Sequence, residues 1–434
     1  MSSSAPDAIE PIYTCAVDAP VQLFSGDATL TANGHSQQAH CVIRFSWSPN
    51  EGPEVEIQAQ SLGLSAATTL TVPSLGLTAP VLGRRASFGT HAPSFLGLLN
   101  GSVRFGDPSA LSRLVFHIAN FPSVYGELVR RSSNLMRARV GLEAPPWVVT
   151  IDPVADEGDQ HSSDLPTRIS EVRGHAITHV GVLNRIDGQP FRAEDADEVL
   201  RDVGRTLSLA RAAFSMPMLR VGFNAAHARV WECWTGFRTD AWRSHENWFA
   251  PLEPGILQSV FAGWRRQSNN STNEVLDAAF HLYIDSHVPG LAAESRLVLA
   301  QSALEGLADG WPHPPRPGSL ALPTFGSGAA ARVAALSLSL GLPLSVPAGL
   351  ANLAALTQPT LASPALDKVA WVRNSIAHLG LLPRLTGHPS RIRYEAKQFA
   401  TQHLELALLR MLDADGMFID RLGPSGQPRR LPWL

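Results

Sequence analysis

Short runs rich in β-branched and aromatic residues dominate the first third of the chain. Cys41–Trp47 (CVIRFSW), Glu54–Ala59 (EVEIQA), Leu114–Ala119 (LVFHIA) and Trp147–Ile151 (WVVTI) read as strands, separated by turn clusters such as SPNEGP. The polar, acidic stretch 155–166 reads as a loop, and strand character resumes over Arg168–Leu183. Glu194–Ala213 then predicts a helix: Val199, Val203, Leu207 and Ala210 recur at helical spacing, and acids fill the first turn. Two strands follow, Leu219–Asn224 and Ala228–Trp234. After Pro254 the period changes. Helices are predicted over Ile256–Arg266, Asn273–His287, Leu291–Asp309, Pro364–Leu381 and Arg391–Leu412, with a Pro-rich connector, WPHPPRPGSLALP, in their midst. Between Val333 and Leu366 no residue is charged. Gly341, Pro343, Pro347 and Gly349 cut that stretch into two apolar helices, each well short of the ~20 residues a membrane span needs.

This switch in period predicts an α+β multidomain chain. A β-rich N-terminal domain occupies residues 1–255, with a break between subdomains near 155–166, and a helical bundle occupies 256–434. The boundary falls between Glu253 and Asn273. At 434 residues the chain is long for a single core, in keeping with two domains or more. No internal repeat is visible.

Composition narrows the function classes. With 35 basic and 38 acidic residues the net charge is -3, so any contact with nucleic acid must come from a local patch. All but two of the bases, Lys368 and Lys397, are arginine; abundant Ala, Gly and Pro make this a mark of a GC-rich genome before it is one of phosphate recognition. Three scattered cysteines, Cys15, Cys41 and Cys233, provide neither a disulfide framework nor a zinc knuckle. The opening MSSSAPDAIEP lacks a basic and an apolar region, so no signal peptide and a cytoplasmic location are expected.

The candidate chemistry lies in Asp367–Gly380, DKVAWVRNSIAHLG, where Arg373 and His378 form an R-x4-H pair. About one such spacing is expected by chance in this composition, so its setting must carry it. Val369, Val372, Ile376 and Leu379 form the core stripe of the predicted helix, with Asn374 and His378 at i, i+4 on the other side. Arg373 lies about 140° around the axis from His378, between the two faces. Looser decoys lack this setting: Arg173–His179 sits in a predicted strand and Arg238–His245 in an irregular Trp-rich loop. The tryptophans of that loop region, Trp231, Trp234, Trp242 and Trp248, are expected in packing rather than in base stacking. His281, Tyr283, Asp285 and His287 alternate along a helix without sharing a face, and no metal site or cofactor is expected.

With these pieces in view, FHLYIDSHVPGLAAESRLVLAQSALEGLAD, RNSIAH and KQFATQHLELALLRMLDADGMFIDRL, the region from about Asn273 to Leu422 resembles a HEPN domain. HEPN domains are helical bundles marked by R-x4–6-H, often with Asn after the Arg. LVFHIANFP, the helix from Glu194 and ARVWECW resemble the N-terminal parts of ApeA-like HEPN proteins of bacterial anti-phage defence. The resemblance implies a metal-independent endoribonuclease, acting as a toxic effector of abortive infection. Arg373, Asn374 and His378 would be its catalytic group, and RNA its substrate. It also implies a homodimer with a shared site, and an N-terminal domain that senses a phage-derived or nucleotide trigger. After the histidine, Leu379-Gly380 stands where the family often has a Pro. Two other readings of the residues remain. Arg373 pairs with a carboxylate such as Glu305 or Glu294 while His378 is a plain surface histidine; or the helical module binds a nucleotide or partner without catalysis, with the β domain as the interaction module.

Overall fold

The computed structural model describes residues 5–47, 53–58, 68–87, 94–100, 103–154, 165–234, 238–243, 247–268, 270, 272–311, 328–357, 365–423 and 427–433. The stretch 155–164, the connector 312–327 and His245 of the second decoy lie outside them. Two compact units emerge, residues 1–207 with 214–244, and residues 208–213 with 245–434. The first is β-rich and the second helical, so the chain is an α+β multidomain protein. The segments 245–255 and 208–213 go with the helices.

The first six strands close into an antiparallel barrel: β1 (Val21–Ala32), β2 (His35–Phe45), β3 (Pro53–Gln58), β4 (Thr68–Val72), β5 (Leu77–Ser87) and β6 (Ser94–Leu99), in the order β1-β2-β3-β6-β5-β4. Alternation builds its interior. Cys41, Ile43 and Phe45 of β2, Val55 and Ile57 of β3, and Leu70 and Val72 of β4 are buried, while their neighbours face outward. On β6 a side chain at Gly97 would meet Val81 Cγ1 at 2.5 Å, so glycine admits the close packing there.

An eight-stranded antiparallel sheet follows: β7 (Arg104–Gly106), β8 (Arg113–Ala119), β9 (Glu127–Arg131), β10 (Asn134–Ala144), β11 (Trp147–Pro153), β12 (Ile177–Arg185), β13 (Met218–Phe223) and β14 (Arg229–Cys233), in the order β7-β14-β13-β8-β12-β11-β10-β9. β12 and β13 both run antiparallel to β8 and therefore parallel to each other, a geometry that requires a long crossover; α2 (Ala193–Arg211) supplies it. Barrel and sheet share one core, in which Val115, Val180, Val221 and Trp234 join the barrel interior.

The segment before β1 is strapped across this sheet. Ala8 N–H donates to the Arg130 carbonyl of β9 and Ile9 N–H to Asp152 of β11. Ile12 and Tyr13 N–H both donate to His117 Nε2 of β8, and the Tyr13 hydroxyl donates to Glu232 of β14. With Nε2 accepting two N–H bonds, Nδ1 carries the proton and donates to the Leu219 carbonyl at 3.0 Å. Burial pulls the His117 pKa down to about 4, which keeps this imidazole neutral.

One stretch departs from its predicted type. Residues 165–172 form a helix, α1 (Leu165–Val172), and not the start of the strand expected from Arg168. Pro166 suits the first helical turn, and Leu165 and Ile169, one turn apart, both bury their side chains.

The helical unit contains α3 (Ile256–Gln267), α4 (Asn273–Asp285), α5 (Ala293–Gly310), α6 (Ala329–Leu340), the single turn α7 (Ala351–Ala354), α8 (Ala365–Ala377) and α9 (Arg391–Met411), closed by the small hairpin β15 (Met417–Ile419) and β16 (Pro428–Arg430). α9 is the central element, packed against α4, α5, α6, α7 and α8. Among the described residues no helix is long and apolar enough to cross a membrane.

Candidate functional site

Arg373, Asn374 and His378 all fall at the C-terminal end of α8, but that helix stops at Ala377 rather than at the expected Leu381. Pro383 would clash with the carbonyl of residue 379 in a continued helix, and a 3-10 segment, Leu379–Leu385, replaces the last turn. His378 therefore has extended backbone, φ -110 and ψ 100. Its N–H still donates to the Asn374 carbonyl at 3.1 Å, so the two residues stay one turn apart. The core stripe also differs from the expected one. Leu366, Val369, Val372 and Ser375 are buried, whereas Ile376 is only half-buried. The Ser375 hydroxyl tolerates this position by donating to the Trp371 carbonyl at 2.9 Å. The side chain of Leu379 lies outside the described residues.

The three side chains have different surroundings. Arg373 is largely covered, at 20% exposure, beside the equally covered Glu305 of α5, at 19%. Its Nη2 donates to Glu305 Oε2 at 3.1 Å and its Nη1 to Asn374 Oδ1 at 2.8 Å. Behind the carboxylate, the fully buried Gln301 donates from Nε2 to Glu305 Oε1 at 3.3 Å. His378 is exposed and makes no side-chain hydrogen bond among the described residues. Arg373 and Asn374 are thus brought together, with Glu305 as the arginine's carboxylate; His378 joins them through the backbone alone. Glu294, the other partner considered, pairs instead with Arg393 at 2.9 Å. Gln301 was not visible as part of the site. Its i, i+4 spacing to Glu305 is the only signal in the sequence. The His388 ring meets Trp371 edge-on at 5.6 Å.

The other candidates resolve into packing. Trp231, Trp234 and Trp248 are buried, and Trp242 packs partly buried against Leu165, Ile169 and Ala176. The Trp248 indole donates to the Leu209 carbonyl at the end of α2. Tyr283 and His287 are buried ring neighbours, and His281 is exposed. No cluster of His, Cys, Asp or Glu among the described residues could hold a metal ion.

Two family models match the chain. The YopA central domain matches residues 106–245, and the YopA C-terminal domain matches residues 269–428, a region that contains Gln301, Glu305, Arg373, Asn374 and His378. The SPbeta prophage-derived uncharacterized protein YopA of Bacillus subtilis (strain 168) is 23% identical over 222 residues, 51% of this chain and 49% of that protein. The match thus spans about half the length of that relative. No solved structure matches the chain.

Proposed function

We propose that the helical unit is a metal-independent endoribonuclease of the HEPN type, with Arg373, Asn374 and His378 as its catalytic group. The observation that carries this reading is the last turn of α8. There Asn374 steadies the Arg373 guanidinium, and an exposed His378 stands one turn further on. Cleavage through the 2′-hydroxyl requires a base for that proton, an acid for the leaving 5′-oxygen, and positive charge against the phosphorane. An imidazole can serve as either general base or general acid. The guanidinium stays charged and fits phosphate oxygens. One copy offers one histidine, while two copies about a two-fold axis would place two Arg and two His in one groove. The protein would act as a homodimer on RNA in the cytoplasm, with the β-rich unit sensing a phage-derived or nucleotide trigger. A role in anti-phage defence is part of the same proposal and follows from the resemblance to ApeA-like proteins.

Full-length protein should cleave single-stranded RNA in EDTA and leave 2′,3′-cyclic phosphate ends, and His378→Ala should reduce the rate by about 10²–10⁴. Dependence on Mg²⁺, or a His378→Ala protein that cuts at the wild-type rate, would sink this reading. One observation favours a second reading. The Arg373–Glu305 ion pair ties α8 to α5, as a purely structural arginine would, in a helical module that binds a nucleotide or partner without catalysis. RNA cleavage that responds to His378 separates the two.

A further inference from the structure

Arg373 has two acceptors, and they differ in kind. Asn374 is its neighbour on α8, whereas Glu305 reaches it from α5 and is itself held from behind by Gln301. Two terminal N–H groups are committed in this way, and one on each terminal nitrogen remains for a phosphate. An arginine has several rotatable bonds, and a phosphate clamp works only when the guanidinium plane is fixed before the substrate arrives. The chain Gln301–Glu305–Arg373–Asn374 supplies that fixation from two helices. A carboxylate this close also offsets part of the positive charge available to RNA.

We propose that Glu305 is a positioning residue for the Arg373 phosphate clamp, exchanging some affinity for RNA phosphate for a fixed guanidinium orientation. The inference rests on the ribonuclease reading of the same site. It separates the two properties of Glu305: its acceptor oxygens position the arginine, and its charge weakens ground-state binding.

The test uses full-length wild type, Glu305→Ala, Glu305→Gln and His378→Ala. Four quantities are measured: kcat and KM on a fluorescent single-stranded RNA, affinity for the same sequence as a non-cleavable 2′-O-methyl RNA, and the thermal midpoint. Glu305→Ala should lower kcat by about 10–100-fold while KM stays within about threefold, because a misplaced clamp slows the step more than it weakens binding. Glu305→Gln keeps an acceptor and should recover kcat to within about threefold of wild type, while binding the 2′-O-methyl RNA about 3–10-fold more tightly. A rise in kcat in both variants would show a blocking carboxylate and overturn the proposal. So would an unchanged kcat in Glu305→Ala, or a loss that follows its folded fraction. His378→Ala reports on the ribonuclease reading separately. Should that variant cut like wild type, or should wild type not cut at all, the catalytic reading fails and the binding arm alone decides Glu305: unchanged affinity in Glu305→Gln overturns its role.

Discussion

Removing Arg373 and removing His378 should carry different costs in stability, although the residues lie five apart. His378 is exposed and opens no cavity when truncated, so His378→Ala should unfold within about 0.5 kcal/mol of wild type. Arg373→Ala leaves the Glu305 carboxylate largely covered with, among the described residues, only Gln301 as a donor, a loss of about 1–2 kcal/mol. Urea denaturation of the two variants measures the difference, and equal midpoints would contradict the ion-pair geometry. The type and spacing of Arg373, Asn374 and His378 are legible in the chain. The choice of Glu305 over Glu294 is not, because both lie on α5 and only the rotation of α5 against α8 and α9 decides which arginine each one meets.

Among elements, α9 buries several polar side chains along its length. Glu395, Gln402, His403 and Glu405 are all buried. Each finds a partner: Asn352 and the Leu353 N–H for Glu395, Asp420 for Gln402, Ser337 for His403, and Tyr283 with Arg421 for Glu405. Burial pushes the Glu405 carboxyl above its usual range, and the Arg421 guanidinium opposes that shift. Arg421→Ala should therefore strand a buried carboxylate and cost about 3 kcal/mol or more. A thermal midpoint within a degree or two of wild type would mean that Glu405 is solvated. Most element types are readable in the sequence, but the type of α1 and the end of α8 differ from the expected ones. α8 ends where Pro383 forbids continuation, and α1 forms where Leu165 and Ile169 find a core.

At the scale of the molecule, three of the buried histidines should lower stability in acid. Burial draws His117 and His179 of the β-rich unit and His403 of the helical unit down to about 4. Near His117 the Arg229 charge lowers the pKa further, whereas near His179 the Asp152 charge opposes the Arg131 charge. In the unfolded chain these rings protonate near 6.5, so the stability each lends is complete above 6.5 and is lost as pH falls toward 4. At pH 5 each should have removed about 2 kcal/mol relative to pH 7.5. Denaturation midpoints should fall steeply across that window, and a flat profile would show that the rings are hydrated. Assembly is the other test at this scale. The proposed shared site would require at least a dimer in light scattering at micromolar concentration, and a fully active monomer would count against it.

Local pattern alone determined much of this protein. The change from period two to period 3.6 near residue 254, the glycines and prolines that cut the uncharged stretch, and the clustering of Arg373, Asn374 and His378 on one helix end all depend on residues within a few positions of one another. Long-range pairing decided the rest. Closure of the first six strands into a barrel, the strap of residues 6–13 across the sheet onto His117 and Glu232, and the tie from Arg373 through Glu305 to Gln301 join residues as far apart as 219 positions in the chain. Side-chain type limits which contacts are allowed, but only the packed fold brings a particular donor within reach of a particular acceptor. Burial then makes each satisfied pair worth keeping, because a buried polar group without a partner costs more than the hydrogen bond itself contributes.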